Sequence, residues 1–399
     1  MPMKKADDIG GGLERPEKNE MIREIEAKSI LRKHKKIDSW FLGRYGMNLY
    51  RGCRHDCVYC DGRADRYQVE GNFGRDVTVK INAPIVLARE LDPARKRTPL
   101  KKSYMIVGGG VGDAYQPAEK QYRLTRQALE MFYHHGFPVH ILTKSTLVER
   151  DMDILKKIRD RSGAIISMSF SSLNRSVCEV FEPGISSPEK RWAVLRRFKE
   201  EGFACGLFYL PVIPLVSDSK EQMEEVVSAA ADAKIDFIHF GGMTLKEGRQ
   251  KDHFYRTLAE YDPSLPPVYD SIYRESKWGA PSPEYAANLY RLFHTLAVFY
   301  KVPMRAPLPL FNDIIDREDM VVVLLEQIDY FLKTLGQKSA FGFAAWSISQ
   351  IKQPLASVSG ELRAVRGIGP GVEKVILEIL RTGTSTYHGN LLKKIYNGH

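Results

Sequence analysis

Val139-His140-Ile141-Leu142-Thr143, the charged segment Met152–Arg161 and then Ala164-Ile165-Ile166-Ser167-Met168-Ser169-Phe170 decide the fold. Two short runs rich in Val, Ile and Met flank a segment of helical pattern, which reads as strand, helix, strand. The same rhythm extends both ways. Upstream, residues 103–107 precede a helical pattern over 120–134; downstream, 188–201 is helical, 203–211 extended, 220–233 helical and 237–241 extended. Each extended run is apolar and bounded by Gly, Pro, Ser or Asp, as expected of parallel strands buried on both faces. With one more strand near residues 47–50, the pattern predicts an α/β fold of six βα units, a partial TIM-like (β/α)6 barrel, because parallel crossovers need helices of this length. A doubly wound sheet is the alternative.

Outside this core the rhythm changes. Residues 1–20 are polar and glycine-rich, and 21–36 read as a basic amphipathic helix. After Gly242 the alternation stops, and helical patterns cover 252–261, 283–300, 318–335 and 342–351. The expected division is a polar segment with a basic helix over 1–40, a barrel over 41–245, a helical extension over 246–355 and a C-terminal hairpin unit over 356–399.

The chain has 399 residues, 43% hydrophobic and 27% charged, so it is neither a disordered chain nor a miniprotein. Its formal charge of +10 suggests a polyanionic partner. The five cysteines, an odd number, fit a disulfide framework badly. No apolar run approaches the roughly 20 residues that span a bilayer, and Met1-Pro2-Met3-Lys4-Lys5 leads into no hydrophobic signal core. A cytoplasmic protein with no membrane contact is expected.

Three of the five cysteines lie together in Arg51-Gly52-Cys53-Arg54-His55-Asp56-Cys57-Val58-Tyr59-Cys60, directly after the first expected strand. One short loop can wrap such thiols around a metal centre. Thiolates ligate iron–sulfur clusters, and three of them leave one iron of a cubane open to another ligand. Structural zinc would need a fourth donor, for which His55 competes. A dithiol of Cys57 and Cys60 alone leaves Cys53 unexplained.

C-x3-C-x-aromatic-C after the first strand of a β/α barrel resembles the radical S-adenosylmethionine superfamily. The resemblance implies that Cys53, Cys57 and Cys60 hold a [4Fe–4S] cluster, with S-adenosylmethionine on the open iron and Tyr59 near its adenine. It also implies cleavage to a 5′-deoxyadenosyl radical that abstracts hydrogen from a substrate, with a low-potential donor such as flavodoxin or ferredoxin. Further segments resemble the spore photoproduct lyase branch: Asn48-Leu49-Tyr50-Arg51-Gly52-Cys53, Gly112-Asp113-Ala114-Tyr115-Gln116-Pro117-Ala118-Glu119, Leu124-Thr125-Arg126, Leu142-Thr143-Lys144-Ser145, Phe181-Glu182-Pro183-Gly184 and Leu210-Pro211-Val212-Ile213-Pro214. On that likeness Gly110, Gly112, Asp113, Lys144 and Ser169 are candidate cofactor contacts, and a lesion-repair or lyase-like reaction on nucleic acid is the expectation, although the lyase's own repair activity does not carry over. The lyase's hydrogen-donating cysteine has no counterpart, because Val111 stands at the aligned position. Cys205 and Cys178 are the remaining candidates for that role.

Near the C-terminus, Val365-Arg366-Gly367-Ile368-Gly369-Pro370-Gly371-Val372 resembles the turn of a helix-hairpin-helix motif. Gly367, Gly369, Gly371 and Lys374 are the candidate nucleic-acid contacts, with DNA favoured over RNA. Basic residues also gather in 28–54 and 94–102. Two rival readings stay open: a radical enzyme acting on a protein or small molecule, and a DNA-binding protein whose cluster is not catalytic.

Overall fold

A computed structural model describes residues 21–67, 69, 71–95, 98–274 and 278–397; the expected polar segment 1–20 and part of the basic run 94–102 lie outside them. Ten strands form two sheets: β1 (Ile22–Ile25), β2 (Leu31–Asp38), β3 (Gly43–Met47), β4 (Tyr50–Arg51), β5 (Val77–Lys80), β6 (Met105–Val107), β7 (Val139–Thr143), β8 (Ala164–Phe170), β9 (Ala204–Val212) and β10 (Phe237–Gly242). The larger sheet has the order β10-β9-β8-β7-β6-β3-β2. Its six strands from β3 to β10 are parallel neighbours, and β2 lies antiparallel at the edge. This is the expected partial barrel, a curled half-barrel. Every residue of β8 is buried, as both of its faces are covered.

The expected helix over 21–36 is instead β1 and β2. The cause is tertiary pairing, which outweighs local periodicity. β2 pairs with β3 from Leu31 opposite Met47 to Asp38 opposite Gly43, and Ile37 points into the core. The Glu90 carboxylate accepts the N–H groups of Ile30 and Leu31, the latter at 2.8 Å. Gly43 lets β3 approach β6, since a Cβ there would stand 2.5 Å from the Tyr104 carbonyl oxygen. The first parallel strand therefore ends at Met47, and Tyr50–Arg51 joins a second sheet of order β1-β5-β4.

The C-terminal helices complete the barrel wall. Pro283–Phe299 packs on β10, where Phe293 stacks on Phe240 with ring centroids 4.1 Å apart. Arg317–Thr334 crosses the β2 edge, and its buried Asp319 takes the Arg44 guanidinium from β3. Phe341–Ser349, Pro370–Thr382 and Thr386–Asn397 pack on that helix in turn. One continuous cluster of buried apolar side chains runs from Ile37 through the strands to Ile376 and Ile395. No helix among the described residues is long and apolar enough to cross a membrane.

Four histidines, His140, His239, His294 and His388, sit in or against this core, and burial holds His239 well below its ordinary value. Burial lowers His140, His294 and His388 to about 4 from an ordinary 6.5. Between those values the unfolded chain binds more protons than the folded one, so stability falls as pH drops through 6.5 toward 4. Urea unfolding at pH 7 and pH 5 should give the lower midpoint at pH 5, and a higher midpoint there contradicts this reading.

Candidate active site

The cysteine loop is clamped over the strand exits, the face on which β/α barrels carry their active sites. Gln116 brackets Cys53: its amide donates to the Gly52 carbonyl at 3.2 Å and accepts from the Arg54 N–H at 3.2 Å. Arg63, itself buried, donates to the Cys57 carbonyl at 3.1 Å and pairs with Asp56. From the far side the Phe181 carbonyl accepts the Val58 N–H at 2.9 Å, and the His55 carbonyl accepts the Gly184 N–H at 3.1 Å. Gly184 has to be glycine, because a Cβ would stand 2.6 Å from the Arg54 and His55 carbonyl oxygens. Below the loop, Cys57, Val58 and Tyr59 join an apolar cluster with Phe181, Phe254 and Tyr269.

Cys53 and Cys57 are buried, Cys60 is half-buried, and all three are free thiols. Burial pushes each thiol up, Asp113 and then Cys60 raise Cys53 further, and Cys60 and Cys53 both raise Cys57. Among the described residues no three His, Cys, Asp or Glu side chains converge at the spacing of a single metal ion. Three thiols that each take a different iron of one cubane stand farther apart than the ligands of one ion.

Behind the loop lies Glu182, fully buried. Its Oε1 accepts the Tyr59 hydroxyl, Lys144 Nζ at 3.0 Å and Ser171 Oγ at 2.9 Å, and its Oε2 takes Arg191 Nη2 at 2.5 Å. Burial alone would raise this carboxyl, but Arg191 and Lys144 hold it well below the usual carboxylate range. Lys144 Nζ also lies 5.6 Å from the centre of the Tyr59 ring. Arg191 Nη1 donates to the Ser169 carbonyl at 2.9 Å. The carboxylate thus joins the cysteine loop, the ends of β7 and β8 and the helix Pro188–Glu200.

The other expected site residues fall into distinct settings. The Asp113 carboxylate accepts the Thr143 hydroxyl at 2.7 Å and the Lys144 backbone N–H at 2.8 Å, and faces His55 Nδ1 at 3.5 Å, while the Lys144 ammonium goes to Glu182. Gly110 has no heavy atom within 4 Å of where a Cβ would stand, and Gly112 has φ +127°. Ser169 Oγ donates to the Leu210 carbonyl at 2.9 Å. Val111 packs against Gly62. Cys178 lies 3.6 Å from Arg191 Nη2, its thiol pushed up to about 12 by burial and then by Glu182. Cys205 is buried against the helix layer, with Sγ 3.8 Å from the Leu195 carbonyl oxygen.

Glu182 and Arg191 carry no cysteine-like signature in sequence; the available signal was Glu182 inside Phe181-Glu182-Pro183-Gly184. At the C-terminus, the expected first helix of the hairpin is a 3-10 helix, Leu355–Ala364, which ends before Gly367. The second helix is Pro370–Thr382. Gly367 has φ +88° and a Cβ there would meet the Phe343 ring at 2.3 Å, whereas Gly369 and Gly371 face open space.

Removing one partner of a buried ion pair costs about 3–5 kcal/mol, because the other charge is left unpaired. Glu182→Gln should therefore destabilise the protein by about 3 kcal/mol in urea unfolding. Arg191→Met added to that variant should return part of the loss. A Glu182→Gln variant as stable as the parent contradicts the assignment of Glu182 as the hub.

Comparisons with known proteins agree with this geometry. Residues 47–227 match the family model described as the radical SAM superfamily. An uncharacterized protein of Mycobacterium tuberculosis is 30% identical over 243 residues, covering 60% of this chain and 70% of that protein. An uncharacterized protein of Methanocaldococcus jannaschii is 31% identical over 212 residues, covering 53% of this chain and 74% of that one. Among solved structures, spore photoproduct lyase complexed with dinucleoside spore photoproduct superposes with a TM-score of 0.52 at 17% identity, over 70% of this chain and 79% of the lyase. A lyase variant with bound AdoMet and the same dinucleoside gives 0.50 at 19% identity, over 68% and 78%. The cysteine loop at the strand exits, the half-barrel and these matches together show that the chain belongs to the radical SAM superfamily, whose cofactors are a [4Fe–4S] cluster and S-adenosylmethionine.

Proposed function

We propose that this chain is a radical S-adenosylmethionine enzyme acting on nucleic acid, DNA rather than RNA, in a lesion-repair or lyase-like reaction. The observation that carries the reading is the single clamped loop that presents Cys53, Cys57 and Cys60 at the strand exits. The donor set fits the cluster: one loop presents three free thiols, two buried and one half-buried, as three ligands of a cubane. When bound, the reduced cluster would supply the electron that cleaves S-adenosylmethionine and yields the hydrogen-abstracting 5′-deoxyadenosyl radical.

The protein's part is positioning and exclusion of water. Gly110 and Gly112 offer backbone that a ligand's methionine end can approach closely. Tyr59 cannot turn freely, since its hydroxyl is tied to Glu182, and would offer an adenine a ring held in one orientation. Lys144 bears on the same ring, and its ammonium is committed to Glu182, so it holds the ring's setting through that carboxylate. Asp113 and Ser169 have hydrogen-bond partners of their own and act by fixing the ends of β7 and β9. Cys178, beside the Glu182 hub, is better placed than Cys205 to return a hydrogen to a product radical, since Cys205 faces the helix layer.

The nucleic-acid substrate is supported by the fold likeness to a lyase solved with a dinucleoside lesion and by the basic charge of the chain. Val111 at the lyase's donor position argues for a reaction that differs in its last step. Gly367, Gly369, Gly371 and Lys374 are proposed to meet the nucleic-acid backbone. A cytoplasmic setting, which keeps thiols reduced, and a flavodoxin or ferredoxin donor complete the reading.

Anaerobically reconstituted, dithionite-reduced protein given S-adenosylmethionine should form 5′-deoxyadenosine, with severalfold stimulation by ultraviolet-damaged DNA over undamaged DNA. Product no greater than that of a Cys57→Ala control overturns the enzyme reading, and product without any response to DNA overturns the substrate.

A further inference from the structure

The helix Phe341–Ser349 buries Ala344, Ala345 and Ile348 but turns two large aromatics outward. Phe343 is 44% exposed and Trp346 is 54% exposed. Their rings stack with centroids 5.6 Å apart and planes 27° from parallel. The Arg366 guanidinium lies over the Phe343 ring at 5.6 Å. The turn at Gly367 is packed so closely on that ring that no side chain fits between them. A rigid aromatic step therefore adjoins the glycine turn.

Next to it, a groove of about 1410 Å³ is lined by Gly369, Lys374, Arg381 and Tyr387, with Phe343, Trp346 and Arg366 outside its lining. Residues 341–399 hold seven Lys or Arg against three Glu. Glu373 is paired with Arg363 at 2.6 Å, and Glu378 accepts the Thr386 N–H at 3.0 Å. Lys374 and Arg381 have no salt-bridge partner among the described residues. Thr386 and, after it, Arg381 and Lys374 do lower the Glu378 carboxyl, but the cations here outnumber the carboxylates. Exposed aromatics stacked beside such an excess of positive charge match the chemistry of unpaired nucleotides, whose bases stack on rings while their phosphates track positive charge. A duplex offers its phosphates but keeps its base faces covered.

We propose that Phe343 and Trp346 form a base-stacking platform for a single-stranded or locally unpaired nucleic-acid segment, with Arg366, Lys374 and Arg381 holding its phosphates. The proposal rests on the nucleic-acid reading above and deepens it. The platform gives the enzyme a grip on DNA whose stacking is already broken, and it requires no base sequence.

Fluorescence anisotropy with a labelled 20-nucleotide single strand, and with a blunt duplex of the same sequence, tests this in the full-length protein. Single-stranded DNA should bind more tightly than duplex at low salt, and Trp346→Ala should weaken it about tenfold while changing duplex binding little. Trp346→Phe should keep most of the affinity, and Lys374→Glu should weaken both forms and flatten the salt dependence. Formation of 5′-deoxyadenosine without DNA should be unchanged in Trp346→Ala. No oligonucleotide binding at low salt, or equal losses on single strand and duplex, overturns the platform and leaves the 5′-deoxyadenosine reading standing. Binding that depends on Trp346 without any 5′-deoxyadenosine supports the platform and overturns the enzyme reading alone.

Discussion

The buried Glu182 carboxylate is the constraint on which the site depends. It is negatively charged in a place from which water is excluded, so its four partners are needed to offset desolvation. Those partners come from four separate elements: the cysteine loop through Tyr59, the end of β7 through Lys144, the end of β8 through Ser171, and the helix Pro188–Glu200 through Arg191. Moving any one of them leaves a charge or hydroxyl unpaired in the interior. The loop therefore has one low-energy seat on the barrel. Reactive-centre geometry in such a site comes from packing and hydrogen bonding around the ligands as much as from the ligands themselves.

The segments that resemble the lyase branch serve this same end. Gln116 and Glu119 both lie in Gly112-Asp113-Ala114-Tyr115-Gln116-Pro117-Ala118-Glu119. Gln116 brackets Cys53, while Glu119 accepts the Tyr50 hydroxyl and the Thr125 N–H, the latter at 2.9 Å. Thr125 in turn donates to the Ala114 carbonyl at 2.6 Å. Phe181-Glu182-Pro183-Gly184 supplies a carbonyl, a carboxylate and a glycine to the loop. Read as a set, these residues are mainly clamps, and few of them are free to touch a ligand.

Local pattern sufficed for the barrel because short apolar runs alternate there with helical segments; an apolar run alone would not have, since Met320–Leu325 is just such a run inside the helix Arg317–Thr334. Residues 21–36 misled because their burial does not alternate along the strands, and only β3 and Glu90 supply the partners that make the segment extended. The cysteine trio was legible from spacing alone. The pairing of Lys144 with Glu182 was not, since Asp113 lies nearer in sequence and carries the same charge, and only the sheet register turns Lys144 toward the loop. The 3-10 geometry of Leu355–Ala364 was equally hidden, because a Ser- and Gly-containing turn has no helical period to read.

The central claim is that the clamped loop leaves one iron of a cluster open to S-adenosylmethionine. Electron paramagnetic resonance of the reconstituted, reduced protein tests it directly. The protein should show a [4Fe–4S] signal that changes when S-adenosylmethionine is added and is lost in Cys57→Ala. A cluster signal that is identical with and without S-adenosylmethionine would contradict it.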